Sequence, residues 1–103
     1  MSQRINICAT EELAPGQRRI VEMGDDDEVL VLNLDGEYYA INNVCPHAGA
    51  ALERGTVMDD ALFCPLHHWG FRLTTGRSVA GDSLCAQTYR VVSQGGHLYL
   101  ESD

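Results

Sequence analysis

Two short stretches carry side chains that could bind one metal centre between them. Cys45-Pro46-His47 offers a thiol and an imidazole, and Cys64-Pro65-Leu66-His67 offers the same pair again after sixteen intervening residues. Thiolate is a soft donor and imidazole a borderline one, so two of each suit either a tetrahedral zinc ion or an iron–sulfur cluster. Zinc fingers of the Cys2His2 kind usually run Cys-Cys and then His-His, each like pair on its own element. Here each stretch supplies one ligand of each kind, which departs from that order.

The alternation resembles the Rieske family, in which two Cys hold one iron of a [2Fe-2S] cluster and two His hold the other. Within that family the likeness is to the small soluble ferredoxins. It is carried by Cys45, His47, Cys64 and His67, by Pro46, Gly49, Pro65, Trp69 and Thr75-Gly76 around them, and by a length that leaves little besides one Rieske domain. The resemblance implies one [2Fe-2S] cluster, with Cys45 and Cys64 on the buried iron and His47 and His67 on the outer one. It implies an all-β fold, an antiparallel sandwich or barrel over residues 1–103, with a cluster-binding subdomain inserted at about residues 43–73. The implied function is one-electron transfer between a flavin-dependent reductase and a terminal oxygenase. There is no room for a catalytic iron domain, so the chain is expected to be an electron-transfer component and not an enzyme. Within a similar fold the alternative is the small subunit of an assimilatory nitrite reductase. From a different class, it is a zinc-stabilised binding module.

Departures from the family sharpen the expectation. High-potential Rieske proteins add a cysteine to each ligand loop and join the two in a disulfide. The matching positions here are Ala50 and Leu66, so that bridge is impossible. Those relatives also place Ser and Tyr hydroxyls near the second motif as donors to the cluster, where this chain has Trp69 and Phe71. Small residues in Ala48-Gly49-Ala50-Ala51 leave amide N–H groups free to approach the sulfurs, which raises the potential. With the hydroxyls absent, the potential is still expected near the lower end of the Rieske range, which starts at about −150 mV. Ferric iron acidifies a bound imidazole, so the potential is expected to fall with pH in the alkaline range. His68, next to a ligand, reads as an exposed loop residue beside the cluster, and Ala80-Gly81-Asp82-Ser83 stands where relatives often carry a Pro in the covering loop.

The composition narrows the partners. Seven Lys and Arg against 15 Asp and Glu give a formal net charge of −8. That balance argues against nucleic acid, whose binding is driven by cations replacing counterions, and against anionic lipid. It favours a basic patch on another protein. Met1–Pro15 has no apolar stretch of a signal peptide and carries Glu11 and Glu12, and no apolar run is long enough for a membrane span. The cytoplasm is therefore the expected compartment, with Cys8 and Cys85 reduced and structural.

The elements that must position the ligands read as short strands. Arg4–Cys8 and Arg18–Met23 are strand candidates, with a capped helical turn at Thr10–Leu13 between them. Gly24–Asp27 reads as a solvated turn. Glu28–Leu34, Asp35-Gly36 and Glu37–Ile41 form the clearest hairpin, and the unbroken run from Val29 to Leu32 predicts burial on both faces. Gly55–Met58 and Ala61–Phe63 form a second, turning at Asp59-Asp60, which would return Cys64 and His67 to the end that Cys45 and His47 left. Phe71–Val79 and Thr88–Leu100 complete the pattern as third and fourth hairpins. His97 and Tyr38, Tyr39 and Tyr99 read as strand-face residues, and Trp69 as loop packing.

Overall fold

The computed structural model describes residues 3–23, 28–44, 51–64, 69–80 and 85–102. Its nine described strands are β1 (Gln3–Ala9), β2 (Arg18–Glu22), β3 (Glu28–Leu34), β4 (Glu37–Asn42), β5 (Thr56–Met58), β6 (Ala61–Phe63), β7 (Gly70–Arg72), β8 (Thr88–Gln94) and β9 (His97–Ser102). They form two antiparallel sheets, one in the order β1-β9-β8-β4-β3-β2 and a small one in the order β5-β6-β7. The small sheet is threaded between β4 and β8, the position expected of an inserted element.

Local turn chemistry explains the hairpins. Asp35 (φ 54°) and Gly36 (φ 97°) supply the two positive φ values that a type I′ connection between β3 and β4 requires. Gly95 and Gly96 do the same between β8 and β9. Asp59 turns β5 into β6 at φ 57°, with Met58 opposite Ala61, so the expected two-aspartate turn is present.

The large sheet curls on itself. Cys8 from one edge strand and Val21 from the other share a core with Val29, Val31, Leu98 and Leu100. In β1 the register shifts between Asn6 and Cys8, and this irregularity lets both Ile7 and Cys8 reach that core. On the outer face, Leu30, Leu32 and Ile41 pack against Leu62, Phe71 and Leu73 of the small sheet and its flank. Thus β3 alternates between two cores, and Val29 through Leu32 are at most 3% exposed. The continuous apolar run needed burial on both faces and has it.

Two local expectations need correction. The turn after β1 is a 3-10 turn over Thr10–Glu12, whose N-cap is Ala9. Ala9 has no polar side chain, so the Glu12 carboxylate accepts from the Ala9 N–H at 2.9 Å, while the Thr10 hydroxyl donates to the Gly96 carbonyl. The third hairpin is present in short form: Phe71 bridges Ser78, with the Arg72 N–H donating to the Arg77 carbonyl and the Val79 N–H to the Gly70 carbonyl, each at 2.9 Å, while the other edge of β7 pairs with β6. Cys8 and Cys85 are both free thiols, but only Cys8 packs in a core; Cys85 is exposed. The turn at 24–27 and residues 81–84 of the covering loop lie outside the described residues. Among the described residues no helix is long and apolar enough to cross a membrane.

Candidate metal centre

Cys64 is the one expected ligand among the described residues; Cys45, His47 and His67, with His68, lie outside them. Accordingly no group of three or more metal-binding side chains occurs among the described residues. What the structure fixes is the pair of stems from which the two ligand stretches depart.

The second stem is the end of the β6–β7 hairpin. Phe63 pairs with Gly70, and one step further the Cys64 N–H donates to the Trp69 carbonyl at 2.6 Å, closing residues 65–68 at their base. Cys64 is 1% exposed and packs in the outer core with Leu52, Leu62 and Phe71. Gly70 leaves room for the Phe63 ring: a Cβ there would sit 2.4 Å from a ring carbon, so the ring would have to shift. Trp69 is partly buried against the same core, so its expected packing role is borne out.

The first stem begins at Asn43, after β4 ends, and returns through a 3-10 turn at Leu52–Arg54. Asn43 is buried, and its backbone N–H donates to the Glu28 carbonyl at 2.9 Å. Its side-chain Oδ1 accepts from the Glu53 N–H at 2.8 Å, and its Nδ2 donates to the Glu28 carboxylate at 3.3 Å. From β2, Arg18 Nη1 donates to the carbonyls of Glu53 and Gly55, each at 2.7 Å. Leu52 is fully buried between these bonds, and Val44, immediately before Cys45, is exposed.

The stems meet. A Cβ on Gly55 would lie 2.3 Å from the Phe63 carbonyl, so the chain leaving the first stretch runs directly against the residue that precedes Cys64. Thr56 is paired with Phe63, and the hairpin between them carries the chain out and back to that same end. On the far side, Ala86 N donates to Gly76 O at 2.8 Å and Gly76 N to Arg72 O at 2.7 Å, tying the Thr75-Gly76 turn to the strand that leads into β8. Neither Asn43 nor Arg18 stood out in the sequence. Their contacts span 10 and about 35 positions, and no motif marks them.

This arrangement fits an iron–sulfur centre. A buried, reduced thiol with no disulfide partner sits at a rigid strand end, and two Cys with two His is the donor set of a Rieske [2Fe-2S] site. Cys85 is a free thiol too, but its Sγ lies 3.6 Å from the Ala86 carbonyl and 3.8 Å from that of Thr75, on the exposed surface.

Comparison with known proteins agrees. The family model for the Rieske [2Fe-2S] domain matches residues 3–90. The chain is 38% identical over 104 residues to the 3-phenylpropionate/cinnamic acid dioxygenase ferredoxin subunit of Photorhabdus laumondii, covering 97% of this chain and 94% of that protein. It is 26% identical to the ferredoxin component of the alkene monooxygenase system of Xanthobacter autotrophicus, covering 96% and 81%. Among solved structures, the ferredoxin of carbazole 1,9a-dioxygenase from Nocardioides aromaticivorans superposes with a TM-score of 0.84 at 30% identity, covering 94% and 95%. A protein of Mycobacterium tuberculosis described as the small subunit of an NADH-dependent nitrite reductase superposes at 0.90 with 24% identity over 100% and 97%, a likeness of fold alone. With the buried thiol, the converging stems and the matched family model in hand, the chain belongs to the Rieske [2Fe-2S] domain family.

Proposed function

We propose that Cys45, His47, Cys64 and His67 hold the single [2Fe-2S] cluster of this Rieske electron carrier, and that it passes electrons from a flavin-dependent reductase to a terminal oxygenase. The observation that carries the reading is the convergence of both ligand stems at buried Cys64. Bound there, the cluster supplies one-electron redox chemistry. The chain's own contribution is to hold the thiol of Cys64 away from water and to fix the backbone on either side of each ligand stretch. Cys45 and Cys64 would take the inner iron and His47 and His67 the outer, with residues 43–73 as the cluster-bearing part of a domain spanning 1–103.

The partner is supported by the relatives, which are named as ferredoxin components of dioxygenase and monooxygenase systems. A neighbour at TM-score 0.85 and 26% identity is a complex of reduced oxygenase with oxidised ferredoxin in carbazole 1,9a-dioxygenase. Such a carrier works in the cytoplasm. The nitrite reductase small subunit is the second reading, since the superposition at 0.90 shows that it shares the fold.

An iron and acid-labile sulfide assay on the purified protein is expected to give two of each per chain, with visible absorption and an electron spin resonance signal on reduction. A colourless zinc-loaded protein refutes the cluster. Cys64→Ser and His67→Ala are expected to abolish the signal, whereas His68→Ala keeps it. Turnover with a flavin reductase and oxygenase, set against turnover with a nitrite reductase large subunit, separates the two partner readings.

A further inference from the structure

We propose that Asn43 and Arg18 are positioning residues that clamp both ends of the stretch carrying Cys45 and His47 onto the large sheet. The inference rests on the reading that Cys45 and His47 are cluster ligands. Asn43 is 2% exposed and lies just beyond the last residue of β4; its backbone N–H bond to Glu28 continues the β3–β4 register, while its two side-chain bonds lie outside that ladder. Its carboxamide spans the mouth of the stretch: Oδ1 accepts from Glu53 N–H at the exit, while Nδ2 and the backbone N–H reach Glu28 at the start of β3. A buried amide whose oxygen holds the exit of the stretch and whose nitrogen holds the start of β3 ties one to the other. Arg18 completes the clamp from β2. One guanidinium nitrogen holds the carbonyls of Glu53 and Gly55, on either side of Arg54, at 2.7 Å each. These are charge-assisted bonds, short and stronger than neutral ones. The mouth of the stretch is therefore closed by the Asn43–Glu53 bond and tied to β2 and β3 by the bonds of Arg18 and Glu28.

The consequence is geometric. A Rieske site needs the first stretch to place one thiolate and one imidazole on two different irons at once. Releasing the mouth lets that stretch shift relative to Cys64, which is fixed independently by Trp69. The test uses the loaded protein and four variants: Arg18→Met, Arg18→Lys, Asn43→Leu, and Leu100→Ala as a control in the inner core, where Leu100 is fully buried and away from the site. Two quantities are read, the g values of the reduced cluster and the rate at which colour is lost to an iron chelator. Arg18→Met and Asn43→Leu are expected to shift the g values and to speed colour loss about tenfold, the lower end of what outer partners of metal ligands give. Arg18→Lys, which keeps a cation for the two carbonyls, is expected to restore most of both. Arg18 is only half-buried on β2, so Arg18→Met keeps the fold even if Asn43→Leu does not. Unchanged g values and loss rates overturn the proposal. So does an equal acceleration in Leu100→Ala at matched thermal stability, which would make the effect one of general stability. Failure of the underlying reading looks different: Cys45→Ala and His47→Ala would then keep their colour.

Discussion

Phe71 and Trp69 bear on the tuning of the centre. The Phe71 ring is fully buried in the outer core, and Trp69 gives its carbonyl to Cys64 N–H while its indole packs on the same core. Neither brings a hydroxyl to the second ligand stretch, and hydrogen bonds to the sulfurs are what lift a Rieske potential. The midpoint is expected near the low end of the range, about −150 mV, measured by protein-film voltammetry. A value well above zero would mean that other donors act. Tyr39 gives a second test. Its phenol donates to the Glu37 carboxylate at 2.7 Å, and that bond, with partial burial and the charges of Glu37 and Asp60, raises its pKa above 10.0. A raised pKa means that the folded chain holds the proton more tightly than the unfolded one. The stability it contributes is therefore full below the unfolded value of 10.0 and is lost as pH climbs through the folded value. Urea midpoints should decline above about pH 10, and Tyr39→Phe should flatten part of that decline. The slope is shallow, because the phenol is mostly solvated.

Two glycines with similar torsions separate local strain from packing at the scale of elements. A Cβ on Gly36 (φ +97°) would have nothing within 4 Å, whereas one on Gly76 (φ +80°) would lie 1.9 Å from the Ala86 carbonyl. Gly36→Ala should cost about 1–2 kcal/mol, the strain of a left-handed alanine alone. Gly76→Ala should cost roughly 2–4 kcal/mol, because the hydrogen bonds joining Arg72, Gly76 and Ala86 must also give way. Urea unfolding of both variants checks the ranking, and equal losses would refute it. The same contrast explains what could be read from the sequence. Asp35-Gly36 and Gly95-Gly96 announce their hairpins because the turn needs only its own two residues. The double burial of Val29–Leu32 was legible because an unbroken apolar run has no polar face to expose. The additional pairing of β7 with β6, on the edge away from Ser78, was not, since it depends on Phe71 reaching a core assembled from distant strands. The Rieske family was legible from the spacing of the Cys and His residues. The bonds of Asn43 and Arg18 were not, because their partners are set by tertiary contact and not by neighbouring residues.

At the scale of the whole molecule, charge and fold act together on how a partner is met. The chain has 8 more anionic than cationic side chains, and the register of β2 with β3 sets exposed Glu22 directly opposite exposed Glu28. Like charges facing each other across a ladder destabilise it. The pair adjoins the first ligand stem, because Glu28 holds Asn43. Negative charge beside Asn43 favours fast, weak encounter with a cationic surface. Two outcomes of opposite sign follow for Glu22→Gln, chosen because Glu28 is committed to Asn43. Its urea midpoint should rise slightly, by an amount on the order of 0.2–1 kcal/mol, as the cross-strand repulsion is relieved. Its rate of reduction by the reductase at low salt should fall, and the difference from the parent should vanish as the Debye length shrinks from about 30 Å at 0.01 M to about 3 Å at 1 M. For the parent itself, stopped-flow rates should drop at least about tenfold over that range if the partner surface is basic. A salt-independent rate would show that docking rests on apolar contact, such as exposed Val44 beside Cys45, and not on the acidic field.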